Sequence, residues 1–203
     1  CILYRMHYYV TRDYLFYTRG VEKNMRIVAG TFRSRTIKAV PGEATRPTTD
    51  KIKEAVFSRI GPYFDGGIML DLFGGSGNMG LEAISRGMDE VWFADCSSQA
   101  IQVMKANAKA LQCEKQCHII KADYRVMLKR MAQEQQCFSL IYLDPPYRKQ
   151  RIDEILSFVN GHSLLAEGGI LIAESLKEDA FGESYGDIKK IKEATYGITK
   201  ITY

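Results

Sequence analysis

The stretch Asp71-Leu72-Phe73-Gly74-Gly75-Ser76-Gly77 decides the fold of this 203-residue chain. It contains the end of an apolar, strand-like run and, together with Gly80, it satisfies the spacing GxGxxG between a strand and a helix. Glycines at such a turn let the backbone take left-handed conformations and approach a ligand closely. We therefore expect the turn to bind a cofactor at the start of a helix.

Strand-like and helical segments alternate from about residue 67 onward. The strand-like runs are residues 68–73, 91–94, 118–121, 140–143 and 170–173, and the helical stretches between them are 79–86, 98–111, 124–133 and 152–159. This alternation predicts an α/β fold with a mostly parallel sheet that is buried on both faces. Residues 188–196 and 198–203, joined at Gly197, predict an antiparallel pair at the edge of that sheet.

Composition narrows the class without identifying a partner. Hydrophobic residues make up 46%, charged residues 26%, and the net charge is +4, which is ordinary for a soluble globular protein and permits a polyanionic partner. The longest apolar run falls short of the roughly 20 residues that a membrane span needs. Five cysteines without a CxxC pair and three histidines predict reduced thiols, a cytoplasmic protein and no metal site.

Acidic residues lie near the carboxyl ends of three of the predicted strands and indicate which cofactor the turn binds. Asp71 would repel the pyrophosphate of a nicotinamide dinucleotide, whereas it would attract the ammonium and sulfonium groups of S-adenosylmethionine. Asp95 is expected to accept hydrogen bonds from the ribose, with a helix cap as the alternative, and Asp123 is expected either at the adenine amine or as a helix N-cap. The predicted cofactor-binding residues are Asp71, Phe73, Gly74, Gly75, Ser76, Gly77, Asp95, Cys96, Asp123 and Tyr124.

The run Asp144-Pro145-Pro146-Tyr147 follows the strand-like stretch that ends at residue 143. The two prolines donate no N–H and hold φ near about −65°, so the corner is stiff. The Asp144 carboxylate and the Pro145 carbonyl would accept both hydrogens of an exocyclic base amine, and Tyr147 would stack on the base. Asp144, Pro145, Pro146 and Tyr147 are therefore the predicted catalytic residues for methyl transfer to a nucleobase.

The N-terminal third divides into an extension and a basic hairpin. Residues 1–24 are tyrosine-rich and are predicted to be an upstream extension or a cloning remnant outside the fold, with an RNA-contacting arm as the alternative. Residues 26–40 predict a β-hairpin with exposed basic side chains. A helix follows, with Ile52, Ala55, Val56 and Ile60 at helical spacing and Lys51, Lys53 and Arg59 on its other faces. We expect residues 25–66 to contact RNA and residues 67–203 to form the methyltransferase domain.

Several of these motifs together resemble the RsmD family, bacterial enzymes that methylate guanine N2 in small-subunit ribosomal RNA. The resemblance covers the chain from Met25 onward and is carried by residues 25–30, 45–48, 71–77, 80–87 and 144–147. Members often have glutamate where this chain has Asp95, and a common alanine is replaced by Gly74. The resemblance implies a class I S-adenosylmethionine-dependent methyltransferase fold, a monomer, and 16S rRNA in an assembling 30S particle as partner. It implies RNA-contacting roles for Arg26, Arg33, Arg35, Lys38, Arg46 and Thr48.

Three other functions share some of these motifs. An adenine-N6 DNA methyltransferase uses a similar proline-rich corner but usually needs a target-recognition domain, for which this chain has little room. A glutamine methyltransferase typically has asparagine where Asp144 stands. A non-catalytic RNA-binding module on a nucleotide-binding fold would have no need of Asp71, Asp95 and the corner at 144–147 together.

Overall fold

A computed structural model describes residues 25–41, 50–146 and 151–203. Its helices are α1 (Asp50–Ile60), α2 (Asn78–Ser85), α3 (Ser98–Leu111), α4 (Tyr124–Gln133) and α5 (Ile152–Gly161). Its strands are β1 (Met25–Arg26), β2 (Thr36–Ile37), β3 (Ile68–Asp71), β4 (Glu90–Asp95), β5 (Cys117–Lys121), β6 (Phe138–Leu143), β7 (Leu165–Leu176), β8 (Ser184–Tyr185), β9 (Ile188–Lys189), β10 (Glu193–Tyr196) and β11 (Thr199–Thr202). The extension at residues 1–24 lies outside the described residues.

A seven-stranded sheet organises the chain, in the order β10-β11-β7-β6-β3-β4-β5. Strands β3 to β7 are parallel to one another, whereas β11 is antiparallel to β7 and β10 is antiparallel to β11. The predicted α/β class, the parallel sheet and the antiparallel pair at its edge are thus confirmed. So is the small N-terminal hairpin, in which β1 pairs with β2.

Alternating side chains along the strands build one hydrophobic core on each face of the sheet. Met69 packs in the cluster that also contains α1, α2 and α3, while its neighbour Leu70 packs in the cluster that contains α4 and α5. A parallel sheet covered by helices on both faces requires apolar residues at successive positions, because each face is buried. This explains the continuous apolar runs of the sequence.

The tail differs from the prediction of one continuous strand over residues 188–196. Ile188–Lys189 instead forms β9, which pairs with β8 across a turn at Gly186, where φ is 65°. The chain then changes direction at Ile191, whose N–H bonds the Tyr203 carbonyl, before β10 begins. The C-terminal hairpin, β8 and β9, is therefore a separate two-stranded sheet.

Helix α1 corrects the prediction that Lys53 lies on an outward face. Lys53 is fully buried, along with Ile52, Val56 and Phe57. Position 53 is three residues before Val56 and four before Phe57, so it belongs to the core-facing stripe of the helix. Within the described ranges, no helix is both long and apolar enough to cross a membrane.

Candidate active site

The predicted site residues converge on the carboxyl edge of the parallel strands. Strand β3 pairs with β4 on one side and with β6 on the other, which makes it the topological switch point where ligands bind in open α/β sheets. Asp71 ends β3 and Asp95 ends β4, whereas Asp123 and Asp144 follow β5 and β6. The four predicted acidic residues thus lie at the same edge of the sheet.

The glycine turn between β3 and α2 is held in shape by backbone hydrogen bonds. Gly74 donates to the Ala94 carbonyl at 2.9 Å and Gly77 donates to the Gly74 carbonyl at 2.7 Å. Gly75 and Gly77 have φ values of 52° and 81°, which favour glycine. A Cβ at Gly75 would meet no atom within 4 Å, so the backbone here faces open space that a ligand can approach.

Gly80 serves packing rather than ligand contact. A Cβ at this position would lie 2.3 Å from the Phe93 ring and 2.7 Å from Val91, so a side chain would separate α2 from β4. Close packing of helix on strand is the usual role of the third glycine in GxGxxG.

Asp71 lies beneath the turn and is only 2% exposed. Its Oδ2 accepts the Gly80 N–H at 3.3 Å. Burial raises the pKa of Asp71 to about 7, with the Asp95 carboxylate adding to the rise and the Gly80 and Phe73 N–H groups opposing it. The carboxyl group therefore supports the turn from within the core, and its pairing with a ligand ammonium stays a prediction.

Asp95 joins the turn to the start of α3. Its Oδ2 accepts the Gly75 N–H at 2.9 Å and its Oδ1 accepts the Ser97 N–H at 2.7 Å. The helix cap itself is Ser97, whose Oγ accepts the Ala100 N–H at 3.3 Å. Each carboxylate oxygen has a second lone pair available for a hydroxyl donor, so ribose binding by Asp95 remains compatible with these contacts.

The remaining predicted cofactor residues are two aromatic residues, Phe73 and Tyr124, and two polar residues, Asp123 and Cys96. The Phe73 and Tyr124 rings lie 5.6 Å apart, and the Tyr124 hydroxyl is buried without a hydrogen-bond partner among the described residues. Asp123 is the N-cap of α4 and accepts the Arg125 N–H at 3.0 Å, so the capping alternative is observed. Cys96 is exposed.

The predicted catalytic corner begins directly after β6. The Asp144 side chain is half-buried, Pro145 is buried and Pro146 is exposed, whereas Tyr147 lies outside the described residues. Two residues earlier, Tyr142 is in register with Asp71 of β3. The corner is therefore on the strand adjacent to the one that leads into the glycine turn.

The predicted RNA-contacting side chains of the hairpin are exposed, but two of them also make contacts within the chain. Arg26 Nε pairs with Asp50 Oδ2 at 2.5 Å, and Arg35 donates to the Ala110 carbonyl near the end of α3. Arg33 and Lys38 project from the hairpin surface. Arg46 and Thr48 lie outside the described residues.

Sequence reasoning missed the buried polar side chains that attach the hairpin to helices α1, α2 and α3. Lys53 and Glu82, both with side chains 0% exposed, form an ion pair at 3.2 Å, and Arg86 Nε lies 2.8 Å from the other Glu82 oxygen. Burial lowers the pKa of the Lys53 ammonium, and Glu82 opposes that effect. A lysine on the apolar stripe of α1 was the available indication. Ser85 and Asn107 also attach the hairpin, and nothing in the sequence pattern around them indicated that role.

Metal ligation finds no support in the part of the chain that the structure describes. It contains no group of three or more His, Cys, Asp or Glu side chains that could hold an ion. The Cys113 and Cys117 sulfurs lie 3.9 Å apart as free thiols.

Comparison with known proteins agrees with this architecture. The sheet order and the glycine turn define a Rossmann-like methyltransferase fold, and a structure of the E. coli putative methyltransferase yhhF superposes with a TM-score of 0.74 at 25% identity, covering 88% of this chain and 96% of that one. The profile of the family described as Conserved hypothetical protein 95 matches residues 25–203.

Two relatives identify the family to which this methyltransferase-like chain belongs. The putative rRNA methyltransferase YlbH of Bacillus subtilis is 42% identical over 87% of this chain and 96% of its own length. The ribosomal RNA small subunit methyltransferase D of Haemophilus influenzae is 30% identical over 79% of this chain and 83% of its own length. This chain belongs to that family, the RsmD family of methyltransferases.

Proposed function

We propose that this chain transfers the methyl group of S-adenosylmethionine to the exocyclic N2 amine of a guanine in 16S rRNA, within an assembling 30S subunit. The observation that carries the proposal is the convergence of the glycine turn and the Asp144 corner on adjacent strands at one sheet edge. The names of the relatives support an rRNA substrate. We also propose that the protein is a monomer and that it acts in the cytoplasm.

The residues at the edge of the sheet fit the methyl donor. The open space above Gly75 gives room for the amino-acid portion, and the Asp95 carboxylate has lone pairs left for ribose hydroxyls. The buried Tyr124 hydroxyl, which has no partner among the described residues, offers a hydrogen bond beside the Phe73 ring. S-Adenosylmethionine supplies an electrophilic methyl group on a sulfonium.

Asp144 is the residue to which we assign activation of the amine. The lone pair of an exocyclic guanine amine is delocalised into the ring, so the nitrogen is a weak nucleophile. If Asp144 and the Pro145 carbonyl each accept one N–H, the nitrogen becomes pyramidal and its lone pair points away from both acceptors. Positioning of this nitrogen against the methyl carbon then supplies most of the acceleration.

The hairpin gives the protein a basic surface for the RNA backbone. Arg33 and Lys38 are exposed, and the Lys38 backbone bonds to Asn107 of α3, which also contacts the glycine turn. Lysine and arginine side chains neutralise phosphates and release condensed counterions, so binding of this kind weakens with salt. We assign orientation of the rRNA to these residues and base activation to the corner.

The test is a methylation assay with 30S subunits from a strain that lacks this gene. Purified protein and isotopically labelled S-adenosylmethionine are expected to yield N2-methylguanosine, detected by mass spectrometry of rRNA nucleosides. Asp144→Ala, which removes the acceptor altogether, is expected to abolish the product while calorimetry shows retained cofactor binding. Glu167→Gln, an exposed carboxylate in the amino-terminal half of β7, serves as the matched control and is expected to retain activity.

Three outcomes would overturn parts of this proposal. Loss of cofactor affinity in Asp144→Ala would mean that Asp144 binds the donor rather than the base. N6-methyladenosine as the product would favour the adenine methyltransferase alternative. Binding of NADH without binding of S-adenosylmethionine would remove the assignment of the cofactor.

A further inference from the structure

Asn107 of α3 is a buried side chain that contacts both the hairpin and the glycine turn. It is 2% exposed, its Oδ1 accepts the Lys38 N–H at 2.8 Å, and its Nδ2 donates to the Lys38 carbonyl at 3.0 Å. The same Nδ2 donates to the Ser76 carbonyl at 2.9 Å. One amide therefore satisfies three backbone groups that belong to two different functional segments.

A second buried side chain makes a parallel connection on the other side of the turn. Lys53 Nζ donates to the Arg26 carbonyl at 2.6 Å and to Asn78 Oδ1 at 2.8 Å. Ser76 and Asn78 are the two neighbours of Gly77. Asn107 thus connects Ser76 to Lys38, the residue after β2. Lys53 connects Asn78 to Arg26 of β1.

These connections resist displacement because Asn107 is only 2% exposed and Lys53 is fully buried. A hydrogen bond to a buried group is costly to leave unmade, and a shift of the hairpin relative to α3 would leave the Lys38 and Ser76 carbonyls without donors. A displacement of residues 25–40 is therefore transmitted to the turn. Energetic coupling between two sites is carried by contiguous contacts of this kind.

We infer that Asn107 is a positioning residue that couples RNA binding at the hairpin to cofactor binding at the glycine turn. The inference rests on the proposed function, because it takes the hairpin as the RNA site and the turn as the S-adenosylmethionine site. RNA that holds the hairpin in its docked position holds Ser76 and Gly77 in the binding conformation. By linkage, the bound cofactor raises the affinity for RNA by the same factor.

The test measures the dissociation constant of S-adenosylhomocysteine, the product form of the cofactor, with and without saturating 30S subunits from the strain lacking this gene. The ratio of the two constants is the coupling factor, which for coupled sites is typically about 5- to 150-fold. The wild-type protein is expected to bind the product more tightly with 30S present by a factor in this range. Asn107→Ala is expected to bring the factor close to one.

Ser85→Ala is the matched control, because Ser85 attaches the hairpin without contacting the turn. Its Oγ donates to the Ala29 carbonyl at 2.5 Å and accepts the Phe32 N–H at 2.9 Å. This variant is expected to weaken 30S binding yet keep the coupling factor. An equal loss of coupling in Ser85→Ala would mean that general loosening of the hairpin, rather than Asn107, accounts for the effect.

Two further measurements keep the inference testable if Asn107→Ala folds poorly. Asn107→Asp keeps the acceptor for the Lys38 N–H but places an oxygen against the Ser76 carbonyl, and it is expected to lose coupling as well. Hydrogen exchange on the wild-type protein without cofactor is expected to show slower exchange at Gly77 when 30S is bound. A wild-type factor of one, or an unchanged factor in both variants, overturns the inference alone. Failure of the wild-type protein to bind either partner overturns the proposed function itself.

Discussion

The N-terminal and C-terminal hairpins are similar in size but are attached to the helices of the main fold in different ways. Each contains two strands of two residues, β1 with β2 and β8 with β9. The N-terminal hairpin is held by Glu82, whose two oxygens accept the Val28 and Ala29 N–H groups at 2.8 and 2.9 Å from a fully buried position. The polar contacts of the C-terminal hairpin are exposed, such as the Asp187 N–H with Asn160 Oδ1 at 2.8 Å, and its Tyr185 and Ile188 side chains are only partly buried against the core.

The difference indicates which hairpin has a fixed position relative to the site. Buried polar groups are expensive to separate from their partners, whereas exposed ones exchange protein partners for water at little cost. The N-terminal hairpin also contacts the glycine turn through Asn107, while the C-terminal hairpin contacts α5 through Asn160. We therefore expect substitutions beneath the first hairpin to affect folding and function strongly, and those beneath the second to affect neither.

The largest loss of stability is expected from Glu82→Gln. This substitution keeps the volume of the side chain but leaves the buried charges of Lys53 and Arg86 without a carboxylate, which typically costs about 3–5 kcal/mol in the free energy of unfolding. Urea denaturation followed by circular dichroism measures the change, from the midpoint and the slope.

Glu183→Gln is the corresponding change in the C-terminal hairpin. Glu183 pairs with Lys190 at 2.5 Å, but its side chain is 83% exposed. We expect its unfolding midpoint to match that of the wild-type protein. Equal destabilisation by the two substitutions would contradict the comparison between the hairpins.

Alanine substitutions at Gly75 and Gly80 are expected to affect protein stability and cofactor affinity differently. Gly80→Ala places a Cβ against Phe93 and is expected to destabilise the protein by about 1–3 kcal/mol through overpacking. Gly75→Ala meets no protein atom, so it pays mainly the strain of its positive φ, about 1–2 kcal/mol, and its methyl group enters the space assigned to the cofactor.

Calorimetry with S-adenosylmethionine, alongside thermal unfolding, checks this pair. Gly75→Ala is expected to lose cofactor affinity at least tenfold relative to Gly80→Ala, when both are measured well below their unfolding temperatures. Unchanged affinity in Gly75→Ala would show that the cofactor does not approach the turn at this residue.

The sequence predicted the sheet and the positions of the acidic residues, because both follow from local patterns. Helices α3 and α4 begin and end at the predicted residues, and the N-caps Ser97 and Asp123 account for where they begin. The attachment of the N-terminal hairpin was not predictable in the same way. Glu82 and Asn107 bond to residues more than fifty positions away along the chain, and no periodicity records such a pairing.

The tail shows a second limit of sequence patterns. Residues 188–196 read as one strand, but the structure divides them because Ile191 and Lys192 bond to the carbonyl of Tyr203 and turn the chain. Strand assignment depends on which partner strand is present, and that partner is determined by tertiary contacts.

The pH dependence of stability isolates Asp71 beneath the turn, and between pH 5 and 7 its contribution is expected to change by no more than about 3 kcal/mol. The folded pKa of about 7 exceeds the ordinary value of 3.8, so between these values the folded state binds the proton more tightly than the unfolded state. Stability therefore falls as pH rises from about 4 to 7, by up to roughly 1.4 kcal/mol per pH unit from this group.

Comparison of the wild-type protein with Asp71→Asn measures that contribution. The amide keeps an acceptor for the Gly80 N–H but does not titrate, so the variant is expected to show a flatter dependence of unfolding free energy on pH between 5 and 7. Saturating S-adenosylmethionine is expected to flatten the wild-type curve as well, because a nearby ammonium favours the charged carboxylate. Identical curves for the two proteins would remove Asp71 as the source of the pH dependence.

The smallest effect is expected from Asn160→Ala beneath the C-terminal hairpin. It removes the acceptor for the Asp187 N–H, which is exposed and can bond water instead, so the change in unfolding free energy should stay below about 1 kcal/mol. It should also leave the methylation rate on 30S subunits unchanged, because α5 carries none of the proposed site residues. A marked fall in methylation with normal stability would mean that the C-terminal hairpin participates in substrate binding, and the functional difference between the two hairpins would then have to be abandoned.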